Sequence, residues 1–186
     1  MPFSALHKDA AKTLVAKARH IRSLGDPLEV FSAQFWTSSL RDDDSTFTFQ
    51  QEVRRWASNG TKWVYFFEAH ATSSQLDALF RRFKDVKAEA GKGGSLAKAL
   101  QAAPTLYVGS CTYKQKEYLY RRLRNHLGFT QGAYSMKMNR WALEPNVLVT
   151  LQAARYRNEA TVEQVREAEE QLRLRRQPML GRAGSA

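Results

Sequence analysis

The stretch Thr105–Gly128, TLYVGSCTYKQKEYLYRRLRNHLG, governs how the rest of the chain is read. Leu106-Tyr107-Val108 is a short apolar, β-prone run that stops at Gly109-Ser110. A basic, helix-compatible segment follows and reaches Arg121-Arg122-Leu123-Arg124-Asn125-His126 before Gly128 ends it. A strand that runs into a glycine, then into a helix bearing Arg and His, suits a phosphate. Glycine permits close approach of another chain, and a guanidinium presents a planar fork of donors to phosphate oxygens. Read as ordinary side chains, Tyr107 is a core residue, and Arg121, Arg122 and Arg124 are a solvated helix face.

Charge widens this reading. The 186 residues carry a formal net charge of +11 at pH 7. Residues 1–60 hold 8 Lys/Arg against 7 Asp/Glu, whereas residues 61–186 hold 21 against 11. A basic segment of that kind suits a polyanion, because neutralising phosphates releases condensed counterions. No run of about 18 apolar residues marks a transmembrane helix, and Met1–Lys12 lacks the apolar centre of a secretory signal. The expectation is a cytoplasmic protein with no membrane partner. The single cysteine, Cys111, excludes an internal disulfide and a zinc cage of several thiolates.

Upstream, Ser4–Leu24 has the spacing of an amphipathic helix, with Ala11, Leu14, Val15, Ala18 and Ile21 on one face and Gly25 as its stop. Asp26-Pro27 predicts the start of a short helix carrying Leu28, Val30, Phe31, Phe35 and Trp36. Arg41–Ser45 reads as an acidic solvated loop, and Phe47–Trp56 as a further helix. Lys62–Glu68, KWVYFFE, is a strand. A helix follows from Ser73 or Ser74 to about Glu89, then a Gly91–Gly94 connector and a short helix over Ser95–Ala102. Beyond the opening stretch, Thr130–Leu143 reads as a loop with a short helix, and Asn146–Tyr156 as a third strand. A final helix runs from the capping-box-like Thr161-x-x-Gln164 to about Gln177, and Gly181–Ala186 reads as a tail.

Four pieces of this sequence, in order over residues 61–182, resemble the GIY-YIG nuclease signature. Tyr107-Val108-Gly109 is similar to its "YIG" half, and Trp63-Val64-Tyr65 stands where the "GIY" half would be. Arg122-Leu123 with His126 is similar to the family's Arg-Leu and following His. Glu169 with Leu172 and Pro178 resembles its late Glu-x-x-Leu…Pro element. The chain departs from the pattern at Trp63, where Gly is usual, in a longer gap between Tyr107 and Arg122, and at Gly181, where many members have Asn shortly after the Pro. The resemblance implies an α+β fold: a small three-stranded, mainly antiparallel sheet flanked by helices. Residues 1–60 would be a helical N-terminal region packing on the core. Residues 61–186 would be the nuclease domain, with a helical insertion at about 70–103.

The resemblance also implies parts for a phosphodiester hydrolase. Glu169 would be the protein ligand of Mg²⁺ or Mn²⁺, in the hard-oxygen style that suits Mg²⁺. Tyr65 would activate the attacking water, Tyr107 would help hold the water or the phosphate, and Arg122 would bind the scissile phosphate. His126, one helical turn beyond Arg122, would bond the phosphate or assist proton transfer. Glu167 and Glu170 are rivals of Glu169, which is chosen for its distance from Pro178. Lys114, Lys116, Arg121, Arg124, Lys137 and Arg140 are the expected nucleic-acid contacts. The expected activity is an endonuclease on DNA. The alternatives are a non-catalytic nucleic-acid-binding module on a degenerate nuclease fold, or an interaction adaptor using Phe31, Phe35 and Trp36 as an exposed patch. Oligomeric state is not legible.

Overall fold

Four runs rich in aromatic and β-branched residues become the long strands of one sheet. In the computed structural model the described residues are 22–41, 48–58, 60–90, 96–112, 117–131 and 135–181, with single positions between 12 and 19. The long strands are β1 (Glu29–Trp36), β2 (Trp63–His70), β4 (Thr105–Cys111) and β5 (Leu148–Arg155). Two-residue strands β3 (Lys98–Ala99) and β6 (Leu180–Gly181) complete a six-stranded sheet in the order β1-β5-β2-β4-β6-β3. Every pairing is antiparallel except β4 with β6, which run parallel at Tyr107↔Leu180.

This overturns the expected three-stranded sheet. The largest difference is β1, where a short helix was expected. Phe31, Ala33 and Phe35 alternate toward the core while Ser32, Gln34 and Trp36 face out, a period of two that only a strand supplies. The Asp26-Pro27 pair starts no helix; Leu28 N–H instead donates to Arg155 O at 2.7 Å, and β1 then pairs with β5 along its whole length. The residues preceding the nuclease-like segment thus contribute a strand to the same sheet. Nor do Phe31, Phe35 and Trp36 form one exposed patch: Phe35 is buried, Phe31 is half-buried, and Trp36 alone is 53% exposed. The short helix expected over 95–102 is absent from the described residues. Leu96 makes a lone bridge to Ser135, and Lys98–Ala99 pairs with Leu180–Gly181. Gly181, expected in the tail, is therefore part of β6.

The helices follow their periodicity. The positions described between 12 and 24 are helical and stop at Gly25. Helix α1 is Thr48–Ala57, α2 is Ser73–Glu89, α3 is Tyr118–Leu127 and α4 is Val162–Arg176. Thr72 and Thr161 cap α2 and α4 through complete capping boxes with Gln75 and Gln164. Short 3-10 turns occupy Thr37–Arg41 and Met138–Arg140. The acidic loop at 42–45, the glycine connector at 91–94 and the tail beyond Gly181 lie outside the described residues. No helix among those described is long and apolar enough to cross a membrane.

The main core lies on one face of the sheet, under α1 and α3. Trp63, Tyr65, Phe67, Leu151 and Ala153 pack there with Val53, Leu119 and Leu123. Trp63, the residue that departs from the nuclease pattern, is wholly buried and lies 4.4 Å between ring centroids from Trp56, which stacks at 4.4 Å on Phe31. That column ties α1 to β1 and β2. On the opposite face α4 packs on β4 and β2, with Val165 against Val64, Leu24 and Ala160.

The strand assignment of residues 29–36 gives a direct test in urea. Phe35→Ala should lower stability by about 3 kcal/mol or more, as for other buried aromatics. Trp36→Ala should change it by no more than about 0.5 kcal/mol. A helix with both residues on its apolar face would give comparable costs.

Candidate active site

The register of β2 against β4 places Tyr65 opposite Gly109, with Tyr107 two residues before it. A Cβ built on Gly109 would lie 2.7 Å from the Tyr65 hydroxyl, 2.8 Å from Tyr65 Cζ and 2.8 Å from Tyr107 Cε1. Glycine is needed here for room: the two phenol rings lie 6.4 Å apart and nearly parallel because nothing projects between them.

Helix α3 brings Arg122 and His126 to the same place, since residues four apart share a helix face. Leu119, Leu123 and Leu127 bury the apolar side of α3, which turns Arg122 and His126 toward β2 and β4. Arg122 Nε donates to the Tyr65 hydroxyl at 2.7 Å, and His126 Nε2 lies 3.0 Å from the same oxygen. The backbone N–H of Met136 donates to His126 Nδ1 at 3.4 Å. A neutral ring so bonded carries its proton on Nε2 and donates it to Tyr65. The Tyr65 oxygen thus accepts two hydrogen bonds. The His126 ring also packs on Tyr107, 4.4 Å between centroids.

Burial sets the charge states of this group. Tyr65 is wholly buried, and desolvation raises its phenol well above its ordinary range, against the opposing pull of Arg122. Tyr65 is therefore a neutral phenol at neutral pH. Burial, then the positive charges of Arg122 and Lys137, push His126 well below its usual value. Arg122 remains a cation, because the neighbouring Tyr65 raises its pKa by more than burial lowers it.

Beyond the buried trio opens a polar cleft of about 410 Å³ between β4, α3 and α4. Tyr107, Arg122 and Glu169 all line it, together with Ser110, Arg166, Glu170 and Arg173. Ser110 Oγ donates to Glu169 Oε2 at 2.5 Å, bridging β4 to α4. Glu170 holds Arg173 through two bonds, from Nε at 2.9 Å and from NH2 at 2.5 Å.

Of the five residues expected to carry chemistry, three line this cleft. Tyr65 and His126 lie behind it and reach it through Arg122. Of the expected nucleic-acid contacts, Arg121 and Arg140 are exposed, and Arg124 is half-buried with its guanidinium 5.7 Å from the centre of the Tyr120 ring. Lys137 is 4% exposed and its ammonium donates to the Thr130 carbonyl, so it supports the turn beside His126 rather than a surface. Lys114 and Lys116 lie outside the described residues. Ser110, Arg166 and Arg173 were not foreseen. Arg166 and Arg173 stand three before and four after Glu169, a helical spacing the sequence does display.

Among the described residues no group of three His, Cys, Asp or Glu side chains could cage a metal. Glu169 offers a different kind of site: one hydroxyl-fixed carboxylate in a polar cleft roomy enough for water and phosphate ligands. That donor set fits Mg²⁺ or Mn²⁺, which retain several waters. Comparison with protein-family models, curated proteins and solved structures finds no match to this chain.

Two outcomes follow from the trio. Gly109→Ala should cost about 1–3 kcal/mol by overpacking and displace the Tyr65 ring, visible as a loss of near-ultraviolet circular dichroism. Because His126 stays neutral when folded and protonates when unfolded, the stability it carries is present above about pH 6.5 and is lost as pH falls below it. Between about pH 6.5 and about pH 5.5, wild type should lose up to about 1 kcal/mol more than His126→Gln in urea unfolding. Equal losses would mean that the folded ring titrates normally.

Proposed function

We propose that this chain is a metal-dependent endonuclease with GIY-YIG-type chemistry, hydrolysing phosphodiester bonds in DNA in the cytoplasm. The observation that carries the reading is convergence. Tyr107, Arg122 and Glu169 come from a strand and two helices far apart in sequence, were each singled out by one motif, and share one cleft.

Arg122 is the phosphate-binding group. Tyr65 occupies its Nε, which fixes the guanidinium plane and leaves the terminal nitrogens to bond phosphate oxygens. Tyr65 and His126 are positioning residues: the buried phenol and neutral imidazole hold the cation in register without competing for the substrate. Tyr107 lines the cleft beside Arg122 and orients water or phosphate. Glu169, steadied by Ser110, would hold Mg²⁺ or Mn²⁺, and the ion would supply charge neutralisation at the phosphate and the leaving oxygen. In the hydrolysis, water oxygen bonds to phosphorus and releases a proton to solvent, the bond from phosphorus to the leaving oxygen breaks, and that oxygen takes up a proton from solvent, so the step balances. Arg122 stabilises the negative charge that builds on the phosphate as this happens.

A second reading, a binding module without catalysis, is favoured by the complete burial of Tyr65, which removes the expected water-activating phenol from the cleft.

Supercoiled plasmid and a labelled single strand, incubated with Mg²⁺, Mn²⁺ or EDTA, decide between the two. Metal-dependent cutting should appear, vanish in Glu169→Ala, persist in Glu167→Ala, and fall about 10²-fold or more in Arg122→Lys, which keeps the charge but loses the fork. Salt-sensitive binding without cutting under every metal would establish the binding module.

A further inference from the structure

Glu169 does not stand alone on α4. Arg166, Glu169, Glu170 and Arg173 recur at helical spacing, and all four line the cleft. Arg122 faces them from α3. Three guanidiniums against two carboxylates leave the cleft cationic, and one carboxylate is already matched: Glu170 grips Arg173, whose side chain is 14% exposed. The bidentate contact holds a half-buried fork in a defined orientation on the cleft wall. Arg166 is exposed at the other end.

We infer that Arg166 and Arg173 form a backbone-tracking site for a nucleic-acid strand, which lays a run of consecutive phosphates along α4 on both sides of the reacting one. The seven-residue step from Arg166 to Arg173 spans about 10 Å of helix. That length, extended by the reach of two long Arg side chains, places a guanidinium beside the phosphates on either side of one held at Arg122. A single phosphate on Arg122 needs neither residue, so the arrangement selects a polynucleotide over a mononucleotide or a phosphorylated small molecule. Glu170 keeps Arg173 from collapsing onto Glu169, and a strand phosphate competes with Glu170 for the same fork. The inference rests on the reading of this cleft as a phosphate site, not on cleavage.

Binding of the full-length protein to a labelled thymidine dodecamer, in EDTA over a range of salt, tests it. Each phosphate contact contributes about 0.7 to the slope of log K against log salt on a single strand. Arg166→Ala and Arg173→Ala should each flatten the slope by nearly that amount and weaken binding. Glu170→Gln should tighten binding and steepen the slope. An unlabelled thymidine dinucleotide should compete poorly against wild type. Arg166 is exposed, so its variant is readable even where Arg173→Ala proves unstable. A slope in Arg166→Ala equal to that of wild type overturns the inference, as does a dinucleotide that competes as well as the dodecamer. Wild-type cutting with an unaltered Arg166→Ala slope would sink this strand site while leaving the nuclease reading intact. Absence of cutting with an Arg166-dependent slope would do the reverse.

Discussion

A guanidinium that is mostly withdrawn from water must be hydrogen-bonded, and here the partner is a tyrosine that is itself wholly buried. The Arg122–Tyr65–His126 trio is the constraint around which β2, β4 and α3 are assembled. Burying three polar groups costs free energy unless each is satisfied. The trio offsets that cost by mutual bonding and by the Met136 amide at its far end. The same low-dielectric setting that makes an unpaired group costly strengthens the bonds that are made. The result is a cation whose direction is fixed by the core rather than by solvent.

That arrangement moves the division of labour inward. Tyr65 and His126 lie behind the cleft rather than on its wall, and their bonds hold Arg122 in place. The surface of the cleft is left to Tyr107, Ser110 and the charged stripe of α4. Both carboxylates there are hydrogen-bonded, Glu169 by Ser110 and Glu170 by Arg173, while the arginines leave the cleft net positive.

The grouping of the cleft residues was more legible in the sequence than the architecture. Tyr107, Arg122 and Glu169 were selected by residue type and order, and neither depends on how many strands the sheet has. The helices at 73–89 and 162–176 were visible because capping boxes and 3.6-residue spacing are local signals. Strand β1 was misread because Asp26-Pro27 is a strong helix-start signal, and it outweighed the Phe31-Ala33-Phe35 alternation. Only pairing with β5, more than a hundred residues away, decides between them. The two-residue strands β3 and β6 have no sequence signal at that length. Lys137 was counted among surface cations because charge usually means exposure; a lysine that caps a carbonyl beside a buried histidine gives no local sign of it.

One of those unreadable strands accounts for the placement of Glu169. After α4 the chain turns at Gln177, with φ 45°, and enters β6. Met179 N–H donates to Thr105 O at 2.7 Å, and Leu100 N–H donates to Met179 O at 2.9 Å. Leu180 then pairs beside Tyr107. These bonds pin the C-terminal end of α4 to β4, while Arg176 NH1 on its last turn reaches Glu68 on β2 at 2.9 Å. At the other end, Val165 is locked into the small core with Val64 and Leu24. A helix fixed at both ends over β4 cannot slide or roll. Glu169, midway between the anchors, is therefore held opposite Ser110 by the sheet itself. The stretch around Pro178, which in sequence looks like a motif terminus, is in the folded protein the clamp that sets the distance between carboxylate and arginine.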